Sequence, residues 1–108
     1  VTAEIDIQQD ILLALGQRSD LCRLWRINAG TTRAWDAPRA IKGAPAGHPD
    51  VTGIIKGGRW FGLEVKKPGE KQTEQQVRFE AMVVRFGGLY AVVRSVAEAI
   101  ATVERWAA

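Results

Sequence analysis

Between residues 3 and 15, Ile7, Ile11, Leu12 and Leu15 fall on one face at 100° per residue, which predicts an amphipathic helix ended by Gly16. Glu4 lies in the middle of that apolar face with Gln8 beside it, while Asp6 and Asp10 point away. Alternation then takes over. In the strand predicted at 23–28, Leu24 and Arg26 share one face, and Trp25 and Ile27 the other. Residues 29–48, rich in Gly, Ala and Pro, read as a long irregular loop, and loops of that length in a small domain are usually functional. Strands follow at 50–56 and 59–66, joined by Gly57–Gly58, a two-residue hairpin signal that sets Asp50 opposite Val65 or Lys66.

The 3.6-residue period returns at 74–86. Thr73 and Gln76 have the spacing of a capping box, and Gly87–Gly88 stop the helix. Its apolar residues lie on two sides, Val77, Ala81 and Val84 against Phe79, Met82, Val83 and Phe86, so it is either sandwiched in the core or shared with a partner chain. "LYAVV" at 89–93 is a buried-type strand. Ser95 and Glu98 form a second capping-box pattern before a helix striped by Val96, Ala99, Ile100, Val103 and Trp106. The predicted fold is α/β, a mixed sheet flanked by helices in the order α-β-β-β-α-β-α, with residues 1–108 forming a single domain.

Composition narrows the class. No apolar run approaches the ~20 residues of a membrane span, and the opening "VTAEIDIQQD" is polar and acidic, unlike a secretory signal. One cysteine, Cys22, excludes an internal disulfide and a zinc site built on cysteine pairs, and it suits a reducing, cytoplasmic setting. The net charge of +3 is mild but unevenly placed: Arg23, Arg26, Arg33, Arg39 and Lys42 face only Asp36 between Leu21 and Pro49. Such a stretch is either a solvated basic loop or a surface for a polyanion.

The stretch "GHPDVTGIIKGGRWFGLEVKKPG" carries the candidate chemistry. On a strand, Glu64 and Lys66 point one way while Leu63 and Val65 pack the other. Asp50 opens the neighbouring strand, within a few ångströms of Glu64 if the hairpin is tight. Two carboxylates that close repel unless something compensates, and a divalent cation is the natural compensator. Magnesium needs only one or two protein carboxylates alongside waters and a phosphate. Lys66 on the same face is placed to orient a water or to stabilise charge on phosphorus. Metal, water and a positive group are the parts that phosphodiester hydrolysis needs. Taken alone, Glu-x-Lys on a strand is usually a solvated pair.

"GHPDVTGIIKGGRWFGLEVKKPGEKQTEQQVRF", together with Glu4, "RIN" at 26–28 and "YAVVRSVAEA" at 90–99, resembles the PD-(D/E)xK nuclease superfamily and, within it, the VRR-NUC (virus-type replication-repair nuclease) domain. The resemblance covers most of the chain. It implies a restriction-endonuclease-like core and a DNA endonuclease dependent on Mg²⁺ or Mn²⁺. Short stand-alone members resemble archaeal Holliday-junction resolvases, which implies a homodimer nicking branched DNA such as four-way junctions with little sequence preference. It further implies roles in DNA repair, a helicase or replication partner, and a bacterial or phage-encoded cytoplasmic protein. By position, Asp50 and Glu64 match the metal-binding acids, with the Val65 carbonyl as a further ligand. Lys66 matches the catalytic lysine, Gln76 the glutamine often placed beside the site, and Glu4 an additional first-helix acid reaching the metal. In "RIN", Ile27 replaces one of the polar residues that family members carry there, leaving Arg26 and Asn28 as DNA-facing candidates.

Several residues keep two readings. Glu4 also suits a helix N-terminus, where the dipole favours an acid. Gln76 has a structural task in its capping box. His48, a lone histidine in a Gly/Pro loop, reads as solvent-exposed rather than catalytic. Arg33, Arg39 and Lys42 are candidate phosphate contacts that position DNA without reading bases, and Lys67 is either another or plainly solvated. Trp35 either stacks on an opened junction or anchors the loop. Trp25, Trp60 and Trp106 read as core or interface. Arg94 is either a salt-bridge partner or a phosphate contact. The rival class is a DNA-binding module that holds DNA on the same fold without cutting; a protein–protein interaction domain is a third.

Overall fold

The computed structural model describes residues 3–27, 31–33, 40–42 and 45–108, with side chains for 3–27 and 45–108. It is α/β. Helix α1 (Glu4–Gly16) leads into strand β1 (Cys22–Arg26), a short β2–β3 ribbon (Thr31–Arg33 and Ala40–Lys42), and the hairpin β4 (Val51–Ile55) and β5 (Trp60–Val65). Helix α2 (Glu74–Arg85), strand β6 (Leu89–Val93) and helix α3 (Val96–Ala107) complete it. The main sheet has the order β1-β4-β5-β6, antiparallel except for the parallel β5–β6 pair that α2 connects. Apart from the ribbon, this is the element order that the hydrophobic periods predict. The ribbon replaces part of the expected irregular loop; Thr31, Thr32 and Ile41 are β-branched, and such residues favour strands.

Alternation along β5 splits the molecule into two layers. Phe61, Leu63 and Val65 have no exposed surface and pack with Ile7, Ile11 and Leu15 of α1, Val51 and Val93 of the sheet, and Ala99 and Val103 of α3. Side chains buried to this degree contribute roughly 1.5–3 kcal/mol each. On the opposite face α2 packs Phe79 and Val83 against Tyr90, Trp60 and Val92, with His48 and Pro49 beside them. Helix α2 is therefore not sandwiched, and Val77, Val84 and Phe86 are exposed. Trp25, expected in a core or interface, is 42% exposed on that thinly covered face beside Thr52. Among the described residues, no helix is long and apolar enough to cross a membrane.

Local chemistry fixes the helix starts. At α2, Thr73 Oγ1 accepts the Gln76 N–H and Gln76 Oε1 accepts the Thr73 N–H, the full capping box. At α3 only half of the expected box forms. Ser95 Oγ accepts the Glu98 N–H, but the Glu98 carboxylate takes the N–H of Arg94, one residue earlier. The hairpin also differs in detail. The Ile55 N–H bonds the Arg59 carbonyl at 2.9 Å, so three residues, not two, form the turn. The register becomes Val51↔Leu63 and Ile54↔Trp60. Asp50 therefore stands level with Glu64 rather than with Val65 or Lys66, and residues directly opposite share a face.

Candidate active site

Asp50 lies where β4 begins and β5 ends. The Ile27 N–H bonds its carbonyl at 3.1 Å, which extends the β1 ladder to it. Its carboxylate continues the ladder on the other side: Oδ2 accepts the Val65 N–H at 3.1 Å, where a backbone carbonyl would otherwise sit. Pro49, fully buried, is seated over Gly62, where any Cβ would come within 2.5 Å of the proline Cγ. Upstream, Gly47 runs so close to the first turn of α2 that a Cβ there would strike the Gln75 carbonyl. These contacts aim Asp50 at Glu64.

Glu64 is 2% exposed, its carboxyl lies within hydrogen-bonding reach of Asp50, and its Oε1 has no hydrogen-bond partner. Burial, then the hydrogen bond and charge of Asp50, push its pKa from 4.5 up to about 9; Lys66 pulls the other way and Glu4 adds a smaller push. Lys66, also buried, follows on the same face. Its N–H donates to the Val93 carbonyl on β6 at 3.0 Å. Because that peptide is planar and trans, the Val65 carbonyl in the same unit points away from β6, back toward the strand that Asp50 opens.

Glu4 comes from the first turn of α1 and feels the charges of Lys66 and Asp50. Its direct partner is one the sequence did not single out: Glu70, in the turn after β5. Burial, then a hydrogen bond shared with Glu70, raise the Glu4 carboxyl above its usual range. Glu70 is held below its own range, first by the Lys67 N–H it accepts at 2.7 Å. Arg94 ties the same turn from the other side, donating to the Glu70 carbonyl at 2.8 Å, which is neither of the roles expected for it. Glu70 had no signal in a "KPGE" turn, because its meeting with α1 is long-range.

Gln76 is half-buried, and its carbonyl oxygen is committed to the capping box. His48 is half-buried rather than solvent-exposed: its rings pack edge-on against Trp60 and Phe79, and Nδ1 lies 2.9 Å from the Pro49 carbonyl. Arg26 is exposed but lies opposite Val51, on the α1 side of the sheet rather than with Glu64. Lys67 is exposed. Asn28, Trp35 and Arg39 lie outside the described residues, as do the side chains of Arg33 on β2 and Lys42 on β3.

Among the described residues, no three His, Cys, Asp or Glu side chains are gathered closely enough to cage an ion alone. The donor set instead is two carboxyls and one backbone carbonyl direction, with a buried carboxylate oxygen that no protein donor meets. That set fits a hard cation keeping several waters better than it fits zinc. Comparisons with protein-family models and with curated protein sequences return no match.

Proposed function

We propose that this chain is a metal-dependent endodeoxyribonuclease of the PD-(D/E)xK type, similar to VRR-NUC domains. One observation carries the reading: Asp50 and Glu64, from neighbouring strands, bring their carboxyls together, one deeply buried, beside Lys66 on the same face. Two acids in that position strain the fold unless a cation joins them.

Asp50, Glu64 and the Val65 carbonyl would hold magnesium or manganese, which would supply Lewis acidity to a phosphoryl oxygen and acidify a water. The chain does the rest. Asp50 is held by the Val65 N–H and Pro49, so its orientation is fixed by the fold. Lys66 carries its charge to the face where the phosphate would lie, orienting the attacking water and offsetting negative charge on the oxygens around phosphorus. Glu4, bridged to Glu70, closes the α1 side and acts on the ion through water. Gln76, its carbonyl oxygen held in the capping box, would act from the edge of the site. Arg26, Asn28, Arg33, Arg39, Lys42 and Lys67 supply phosphate contacts of low sequence preference. The buried lone Cys22 accords with the reducing cytoplasm of a bacterial or phage-infected cell, where DNA repair supplies branched substrates and a helicase delivers them.

The deciding experiment is a cleavage panel of four-way junction, flap and linear duplex with Mg²⁺, Mn²⁺ or EDTA. Nicking that needs the ion and favours branched DNA is expected. Binding without nicking in either ion means a DNA-binding module instead, and no salt-dependent binding at all removes nucleic acid from the picture.

Paired cuts in a junction call for two sites, and we assign the second to another copy of this chain. The exposed apolar residues of α2, Met82, Val84 and Phe86, supply surface for it. Light scattering is expected to give twice the mass of one chain at micromolar concentration; the mass of one chain would remove the paired-cut arrangement.

A further inference from the structure

Among the described residues, two buried polar atoms on the α2 side of the sheet have no hydrogen-bond partner: Glu64 Oε1 and the Tyr90 hydroxyl. Tyr90 is 9% exposed and belongs to no part of the candidate mechanism above. The parallel register pairs Gly62 with Tyr90 and Glu64 with Val92. Tyr90 and Glu64 are therefore diagonal neighbours on one face, a separation of roughly 7–8 Å that long side chains span. The glycine opposite Tyr90 carries no side chain, and Pro49 and Trp60 occupy the space directly over it. After burial, the Glu64 charge is the strongest influence holding the Tyr90 hydroxyl protonated, which places the two groups in one electrostatic environment. Gln72 reaches toward the hydroxyl as a donor, with one of its two amide N–H groups given to Glu80 at 3.0 Å, so the proton of the hydroxyl itself is left without an acceptor.

A buried hydroxyl and a buried carboxylate oxygen are each costly to leave unpaired. Neither is hydrogen-bonded to the other, and as diagonal neighbours they are placed to share one water, which needs two to four polar partners. We propose that Tyr90 is a positioning residue for Glu64, its hydroxyl donating through one bound water to Oε1 and so fixing the angle at which that carboxylate meets Asp50 and the ion. A carboxylate oxygen has two lone pairs, so a water and an ion can share it. The inference rests on the metal-site reading and adds to it a residue that touches neither ion nor DNA.

Tyr90 is the only tyrosine in the chain, so a ¹³Cζ-tyrosine label gives one resonance that needs no assignment. Mg²⁺ is titrated into the labelled protein while calorimetry follows binding in the same buffer. The Tyr90 resonance is expected to shift and to saturate with the calorimetric isotherm, and the shift is expected to vanish in Glu64→Gln. Tyr90→Phe, which keeps the ring and its packing, is expected to weaken Mn²⁺ binding about tenfold, as removal of a ligand's hydrogen-bond partner does. Saturable Mg²⁺ binding with a stationary Tyr90 resonance, or an unchanged Mn²⁺ affinity in Tyr90→Phe, overturns the positioning role and leaves the ion site standing. No saturable binding by calorimetry removes the ion site and this role with it.

Discussion

Glu64→Gln is expected to abolish cleavage and, without metal, to raise the melting temperature, increasingly so as the pH rises. Loss of activity follows from removing an ion ligand. The gain in stability follows from the environment of Glu64, whose carboxyl is moved from 4.5 to about 9, mainly by burial and then by Asp50. A group whose pKa is higher in the folded than in the unfolded chain gives the fold most below its unfolded value and progressively less as the pH climbs through the folded one. Between about pH 4.5 and 9 the metal-free protein should therefore lose stability, and Glu4, displaced in the same direction, adds to the trend. Glutamine has nearly the same shape and does not titrate, so much of that decline should be missing in the variant. Mg²⁺ reverses the order, because an ion that displaces the proton from wild-type Glu64 stabilises the folded form by mass action and has little hold on the variant. Thermal melts followed by circular dichroism at pH 5, 7 and 9, with and without Mg²⁺, read all of this. A metal-free variant that melts below wild type at pH 9 would contradict the account of Glu64 as a buried acid awaiting a cation.

Lys66→Met is expected to separate chemistry from ion binding. A positive group aimed at charge that develops during reaction is worth about 10²–10³ in rate, so single-turnover cleavage should fall by that order. Once Glu64 is ionised the ion should bind no more weakly, because the lysine is a like charge beside it; at pH 9, near the Glu64 pKa, only the ionisation that Lys66 favours is lost. At lower pH the comparison is blurred, since Lys66 also favours ionisation of Glu64 and Glu4. Methionine keeps the apolar stem of a side chain that is only 8% exposed, so folding should survive. Rapid-quench cleavage beside Mn²⁺ calorimetry gives both quantities. Wild-type rates in the variant would leave the lysine as a structural residue; loss of ion binding at pH 9 would mean it organises the acids rather than the reaction.

Much of the fold is legible in the sequence because the signals are local. The spacing of Ile7, Ile11 and Leu15, the Thr73–Gln76 cap and the alternation of "FGLEVK" each belong to one element, and each element forms. The face shared by Glu64 and Lys66 was readable for the same reason. The exact partner of Asp50 was not, because it depends on one residue more or less in a turn, and Gly57–Gly58 suits either length. Glu70 and Tyr90 were missed for a different cause. Glu70 meets Glu4 with strands β1 to β5 lying between them in sequence, and Tyr90 looks like any strand aromatic until the parallel register sets it beside Glu64. His48 is the converse: a polar residue in a Gly/Pro loop whose place among Trp60 and Phe79 no periodicity announces. Glu98 shows how small such errors can be, since its carboxylate caps the right helix through the neighbouring N–H.

The seat of Pro49 over Gly62 reaches beyond packing. An acid anchored by a rigid ring and a hydrogen-bonded strand end has lost its freedom before any ligand arrives, so an ion bound as proposed would meet a preorganised claw rather than a floppy one. A single methyl at position 62 would press on the proline and lever Asp50 outward, changing the spacing of the two acids without touching either.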